Sequence, residues 1–192
     1  ENAKLTFGYS RYEEDQNGAD PVTGNAKQIV PGISAYAADA AVLSLAYTPV
    51  DWAAYNITYT QLTEETGLLG VQGAGALSLA GGAKTDAVTM GAEFKLDADL
   101  SLAFSATAAH TRPGAFEDSG LAVSDEGITS TAFEVALNMQ GVFDKTDGIR
   151  FALTQPLTIE SGSLNYTSWQ VVDRDTGEIG LVTEQWNLAS DE

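Results

Sequence analysis

Few side chains in this sequence could carry chemistry, and their spacing argues against most of it. His110 is the single histidine. It allows at most one Ser-His-Asp set, and no Gly-x-Ser-x-Gly elbow accompanies it. It keeps step with Ala106 and Ala108 near the end of an alternating run, which is where a rim or surface histidine sits rather than a base. There is no cysteine, so disulfides and thiolate metal sites are excluded. Asp173-Arg174-Asp175-Thr176-Gly177-Glu178 has acidic spacing like that of a calcium loop. It lacks the twelve-residue pattern and the distal bidentate glutamate, and reads as a plain turn. The glycines Gly67, Gly70, Gly73, Gly75, Gly81 and Gly82 match no phosphate loop, because no Gly-Lys-Ser/Thr and no strand–turn–helix frame goes with them. Glu93, Glu134 and Arg150 remain, each inside a strand pattern. Facing a lumen, they could pair and brace it; on a solvated sheet they would do nothing. No catalytic residue, metal or cofactor is expected.

The elements that must position these side chains are strands. In residues 86 to 111, Val88, Met90, Ala92, Phe94 and Leu96 alternate with Thr89, Gly91, Glu93 and Lys95. After Asp97-Ala98-Asp99 the alternation restarts with Leu100, Leu102, Phe104, Ala106 and Ala108. Successive side chains of a strand point to opposite faces, so this is a hairpin with one apolar face. A three-residue loop would set Leu96 against Leu100 and Phe94 against Leu102. Each arm has about ten residues, enough to cross a bilayer as a tilted strand. Similar strands are expected over 4–12, 40–48, 52–62, 128–140, 148–158, 163–172 and 179–188, and 29–36 has room for a further short one outside that count. No helix is expected.

Bulk composition narrows the setting. Nine Lys+Arg against 27 Asp+Glu give a net charge of −18, so nucleic acid and anionic membrane surfaces are poor partners. No apolar run is long enough for a transmembrane helix, a test that a barrel of half-apolar strands escapes. Glu13, Glu14, Asp15, Glu117, Asp118, Asp125 and Glu126 read as a solvated acidic rim, with weak divalent-cation binding the alternative. Turns at 49–51, 97–99, 141–147 and 173–178 fall at one end of the strands. The connections 13–39, 63–85, 112–127 and 159–162 fall at the other, and three of these four are long. Short turns at one rim and long loops at the other are the habit of outer-membrane barrels. Trp52, Tyr55, Tyr59, Tyr166, Trp169 and Trp186 lie mostly toward strand ends, as interfacial girdles would. The count of about nine strands is odd, which implies a strand missing or missed, near 28–36 or 67–79.

From residue 67 to about 188 the order of short motifs resembles a known family. GLLGVQGAGAL, TDAVTMG, LSLAFSATAAHT, GITSTAFEVAL and GVFDKTDGIRFALTQPLTIESGSL follow one another. Together they are similar to the C-terminal autotransporter-like β-region of alphaproteobacterial subtilisin-family serine peptidases. The most specific piece is Phe151 to Gly162; the family commonly has arginine where Thr158 stands. None of these motifs is catalytic, and the peptidase's Asp, His and Ser motifs are absent. The resemblance implies a barrel attached to, or cut from, an N-terminal peptidase. Such regions run on to further strands and a terminal aromatic, whereas this sequence ends Asn187-Leu188-Ala189-Ser190-Asp191-Glu192.

The expectation is therefore an all-β, antiparallel up-and-down meander forming an outer-membrane-type β-barrel of about 9–12 strands, incomplete on its own. Residues 1–192 form one such domain, a C-terminal fragment of a longer chain. It acts as a non-catalytic translocator or anchor at the bacterial outer membrane or cell surface. Its expected partners are outer-membrane lipid, a passenger peptidase domain and the outer-membrane assembly machinery, with self-association as a further mode and no nucleic acid. The competing expectation is a soluble extracellular β-module, a surface-layer, fibre or adhesin subunit, whose open edges pair between chains.

Overall fold

Side chains that change character at every residue are satisfied by extended backbone, and eight stretches of the chain adopt it. The computed structural model describes residues 2–13, 36–72, 77, 79, 81–114, 120–144 and 146–189. The strands are β1 (Ala3–Glu13), β2 (Ala37–Val50), β3 (Ala53–Glu64), β4 (Ala83–Asp97), β5 (Leu100–Pro113), β6 (Leu121–Gln140), β7 (Gly148–Asp173) and β8 (Glu178–Asn187). Each pairs antiparallel with the next, making one eight-stranded sheet in the order β1-β2-β3-β4-β5-β6-β7-β8. No α-helix occurs among the described residues. The sheet is open, with β1 and β8 as its edges.

Register carries the alternation from strand to strand. Leu5, Leu45, Ile57, Met90, Ala106 and Phe133 form one rung, and Thr6, Ser44, Thr58, Thr89 and Thr107 form the next. The apolar phases of β1 to β7 thus fall on one face, and the small and polar phases on the other.

Three sequence expectations change. Residues 159–162 are not a connection: β7 runs through them as a single 26-residue strand. Register shifts against β6 between Thr129 and Ser130 and between Thr131 and Phe133 take up the extra residues, and Gly162 adopts φ 133. These are β-bulges, which bend a strand without ending it. Among the described residues the strand count is therefore eight, not nine, and the turn at 174–177 belongs to the end with the long connections. Second, the loop expected over 112–127 is shorter. β5 reaches Pro113 and β6 starts at Leu121, with a register shift between Val123 and Ile128 and Gly127 at φ 76. Third, Phe94 does face Leu102, but Leu100 pairs with Asp97, leaving Leu96 in a bulge. The short strand expected near 29–36 lies outside the described residues except for Tyr36. In 67–79 the described residues hold only an isolated bridge, Leu68 to Val71.

Most of the sheet is a single layer. The accessible surface of the whole chain is 12940 Å², against about 8,800 Å² for a compact folded monomer of this mass. The buried core is small: Ala83, Val123 and Ile128, with Leu68, Ile159, Leu164 and Leu188 packed on them. By strand parity, Ala83 and Ile128 lie on the small-residue face, toward the long connections.

Candidate functional surfaces: two unlike faces of one sheet

The apolar face is the exposed one. Phe7 is 72% exposed and Leu153 69%, and Leu43, Leu45, Ile57, Met90, Phe133 and Phe151 are also open. Toward the short turns the face becomes aromatic. Phe94 lies 6.4 Å from Trp52, 5.9 Å from Tyr55 and 6.2 Å from Phe104, ring centre to ring centre. Toward the long connections the same face turns polar. Tyr9 donates its hydroxyl to Asp39 at 2.7 Å. Asp86 accepts from Tyr59, from Gln61 at 2.9 Å and from Arg112, which also forms an ion pair with it. The apolar side chains thus form a band with an aromatic margin at one end and a hydrogen-bonded, charged margin at the other.

The opposite face is lined with Ala, Ser, Thr and Gly. Its hydroxyls pair across strands: Ser44 with Thr58 at 2.9 Å, Thr89 with Thr107 at 2.8 Å, and Thr85 with Thr111 at 2.9 Å. Two of the three ionisable side chains singled out from sequence meet here. Arg150 Nη2 donates to Glu134 Oε1 in an ion pair, and Thr154 donates to Glu134 Oε2 at 3.3 Å. Arg150 is paired in register with Asn138, and Glu134 with Thr154. The bridge is therefore diagonal and passes the Ala136–Ala152 rung; Ala136 is 0% exposed. Glu93 shares this face but stands three strands from Arg150, about 14 Å. It is exposed and takes no part in the bridge.

His110 pairs in register with Asp86. The Asp86 carboxylate is occupied by Tyr59, Gln61 and Arg112, and no hydrogen bond joins it to the imidazole. The ring lies instead against the backbone of Gly127, where an added Cβ would come within 2.7 Å of Cε1. Asp173 accepts amide hydrogens from Asp175 at 2.8 Å and Thr176 at 3.3 Å. These bonds from its own turn hold its carboxyl below the usual range. Of the acidic rim, Glu13, Asp125 and Glu126 are exposed, whereas Glu14, Asp15, Glu117 and Asp118 lie outside the described residues.

Sequence reasoning missed Glu64. It ends β3 on the small-residue face and is only 2% exposed. Its carboxylate accepts the amide hydrogens of Leu69 and Gly70, both at 2.6 Å, and the Tyr36 hydroxyl at 2.9 Å. Burial, then the bond to Glu64, pushes the Tyr36 phenol up to about 12. The signal was present: an acid on the Thr58, Thr60, Leu62 phase, immediately before a glycine-rich stretch. No family model, curated protein or solved structure matches the chain.

Proposed function

We propose that this domain is a non-catalytic outer-membrane β-barrel that anchors or exports a passenger. The observation that carries the reading is the exposed apolar band and its course across the sheet. The rung through Phe7 passes Leu43, Tyr59, Val88 and Ala108 and reaches Thr131 on β6. The middle of the apolar set on β6, Val135 to Leu137, lies about five residues nearer the short turns. Five residues over five strand steps is a drift of about one per strand. At about 3.4 Å per residue and 4.8 Å between strands, a level band with that drift needs strands tilted by about 35°. Barrel strands are tilted by 35–45°. From Val88 to Leu96 the band is then about 21 Å tall, close to the apolar belt of an outer-membrane barrel.

Lipid also accounts for the open apolar face. An aqueous sheet covers its apolar face, whereas one in a bilayer leaves that face to acyl chains and pairs its backbone groups by closing. In this reading the hydroxyl-lined face is a modestly wet interior braced by Glu134 and Arg150. Closure has a defined geometry. β8 pairs only with Ser163–Asp173, so at the level of the band the free edges are β1 and the first half of β7. Both run toward the long connections, so an odd number of antiparallel strands fits between them, the first in line with β8.

The motif resemblance makes the passenger a subtilisin-like peptidase. Its most specific stretch, Phe151 to Gly162, lies on β7 from the band to the bulge. One observation favours the other reading, a surface-layer, fibre or adhesin module: the same free edges would join copies side by side. Expression with fractionation separates the two. The barrel reading expects outer-membrane recovery and a folded band in detergent that shifts on heating. A detergent-free monomer, or filaments in electron micrographs, would overturn it.

A further inference from the structure

The Glu64–Gln72 segment does not stand away from the sheet but folds back onto it. Leu68 packs against Ala83, Val123 and Ile128 on the small-residue face. Leu68 and Val71 exchange backbone hydrogen bonds, 2.9 and 3.0 Å, which closes the segment into a tight tip. Leu69 and Gly70 take φ 50 and φ 81. Successive amides of a tight turn can face one point and make a concave anion seat. Here the anion is the chain's own Glu64 carboxylate. The fit is close: a Cβ on Gly67 would come within 2.9 Å of the Tyr36 ring and 3.2 Å of Glu64 Oε1. A leucine at positive φ persists only where its surroundings impose it. Here they are a buried carboxylate and a leucine side chain seated in the only hydrophobic core cluster among the described residues.

We infer that this segment is a stopper: it closes the small-residue face toward the long connections, and Glu64 is its catch. Between this end and the level of the Glu134–Arg150 bridge that face offers little to fill an interior, since Gly8, Ser44, Ala87, Thr89, Ala109 and Ala132 are all small and the longer Asn56, Glu134 and Arg150 lie nearer the short turns. In the barrel proposed above, on which the sealing role rests, such a lining would leave a narrow wet passage unless an end were shut. Leu68 and Leu188 shut that end from two parts of the chain, Leu188 being tied by its amide to the Gly162 carbonyl at 3.0 Å. Glu64 decides whether the Leu68 arm stays down, because without the carboxylate the half-buried amides of Leu69 and Gly70 lose the acceptor that holds the tip against β3.

Two measurements on the full chain test this, each with Glu64→Ala and Leu68→Asp. Amide exchange reads the catch. At Leu69 and Gly70, Glu64→Ala should exchange about 10- to 100-fold faster than the parent, with β4 and β5 amides unchanged. Unchanged exchange at those two amides overturns the catch. Single-channel recording in planar bilayers reads the seal. The parent should be silent or nearly so, and both variants should show discrete openings. A parent that conducts as freely as the variants, or folded variants as silent as the parent, overturns the seal. If no protein inserts into bilayers, the barrel reading and the seal fall together, and the exchange data still decide the catch.

Discussion

A lysine placed at Met90 tests the orientation of the band most directly. Met90 and Leu96 lie on the same strand and in the same apolar phase of the sequence, Leu96 at the bulge, and each is 58% exposed, so an aqueous sheet gives no reason to treat them differently. In a bilayer, depth would separate them. With Ala92 at the centre of the β4 band and strands tilted as above, Met90 lies about 5 Å from the midplane and Leu96 about 11 Å. A lysine on the lipid face costs about 2–4 kcal/mol near the midplane and about 0–1 near the interface. Met90→Lys should therefore lower the folding equilibrium constant by about 30- to 700-fold at 1.4 kcal/mol per decade. Leu96→Lys should lower it by less than about tenfold. The assay is urea titration in lipid vesicles, followed by tryptophan fluorescence and by the mobility of unheated samples on gels. If both lysines cost the same, or if Met90→Lys stays within the roughly 0.5 kcal/mol typical of exposed aqueous sites, the band does not face lipid.

Three further outcomes follow. Arg150→Met leaves Glu134 without its partner; the guanidinium is exposed and the carboxylate half-buried, so the loss should stay at about 1 kcal/mol or below, and a loss of 3 kcal/mol or more in the same titration would mean a dry face instead. Gly162→Ala puts a Cβ at φ 133, within 2.7 Å of the Gly127 carbonyl oxygen and the Ile128 Cα; it should cost about 1–3 kcal/mol, and a neutral result would argue against the bulge. Tyr36 has its phenol raised from 10.0 to about 12; the protonated form is the one the fold favours, so its contribution is complete below pH 10 and disappears as pH rises through about 12. At pH 11 the tyrosinate absorbance of Tyr36→Phe should therefore match the parent, and a lower value would show Tyr36 titrating normally.

Alternation made most of the sheet legible in the sequence. The Val88–Leu96 and Leu100–Ala108 phases fall where a period of two puts them, because side-chain direction in a strand is fixed by the backbone alone. Glu160-Ser161-Gly162 misled for the complementary reason. Local turn chemistry is the same whether a glycine ends a strand or sits in a bulge, and pairing with β6 decides between them. The Glu134–Arg150 bridge was half legible: phase gave the shared face, but only register shows that a diagonal joins those two and leaves Glu93 apart. Glu64 escaped because its strand appeared to stop at Leu62, which left the acid in a loop. What identifies it is a fold-back of the next eight residues, and no periodicity encodes that.

The diagonal bridge over Ala136 reverses the usual rule for which positions tolerate change. On the apolar face, where Leu153 and Phe151 stand open, lipid as the neighbour would let one greasy side chain replace another of different bulk, since fluid surroundings adapt to any outline. At Ala136, which is 0% exposed beside the Glu134–Arg150 bridge, an added methyl must displace a neighbour. Mutational libraries of this domain should accordingly retain character without size on one side of each strand, and size without character on the other.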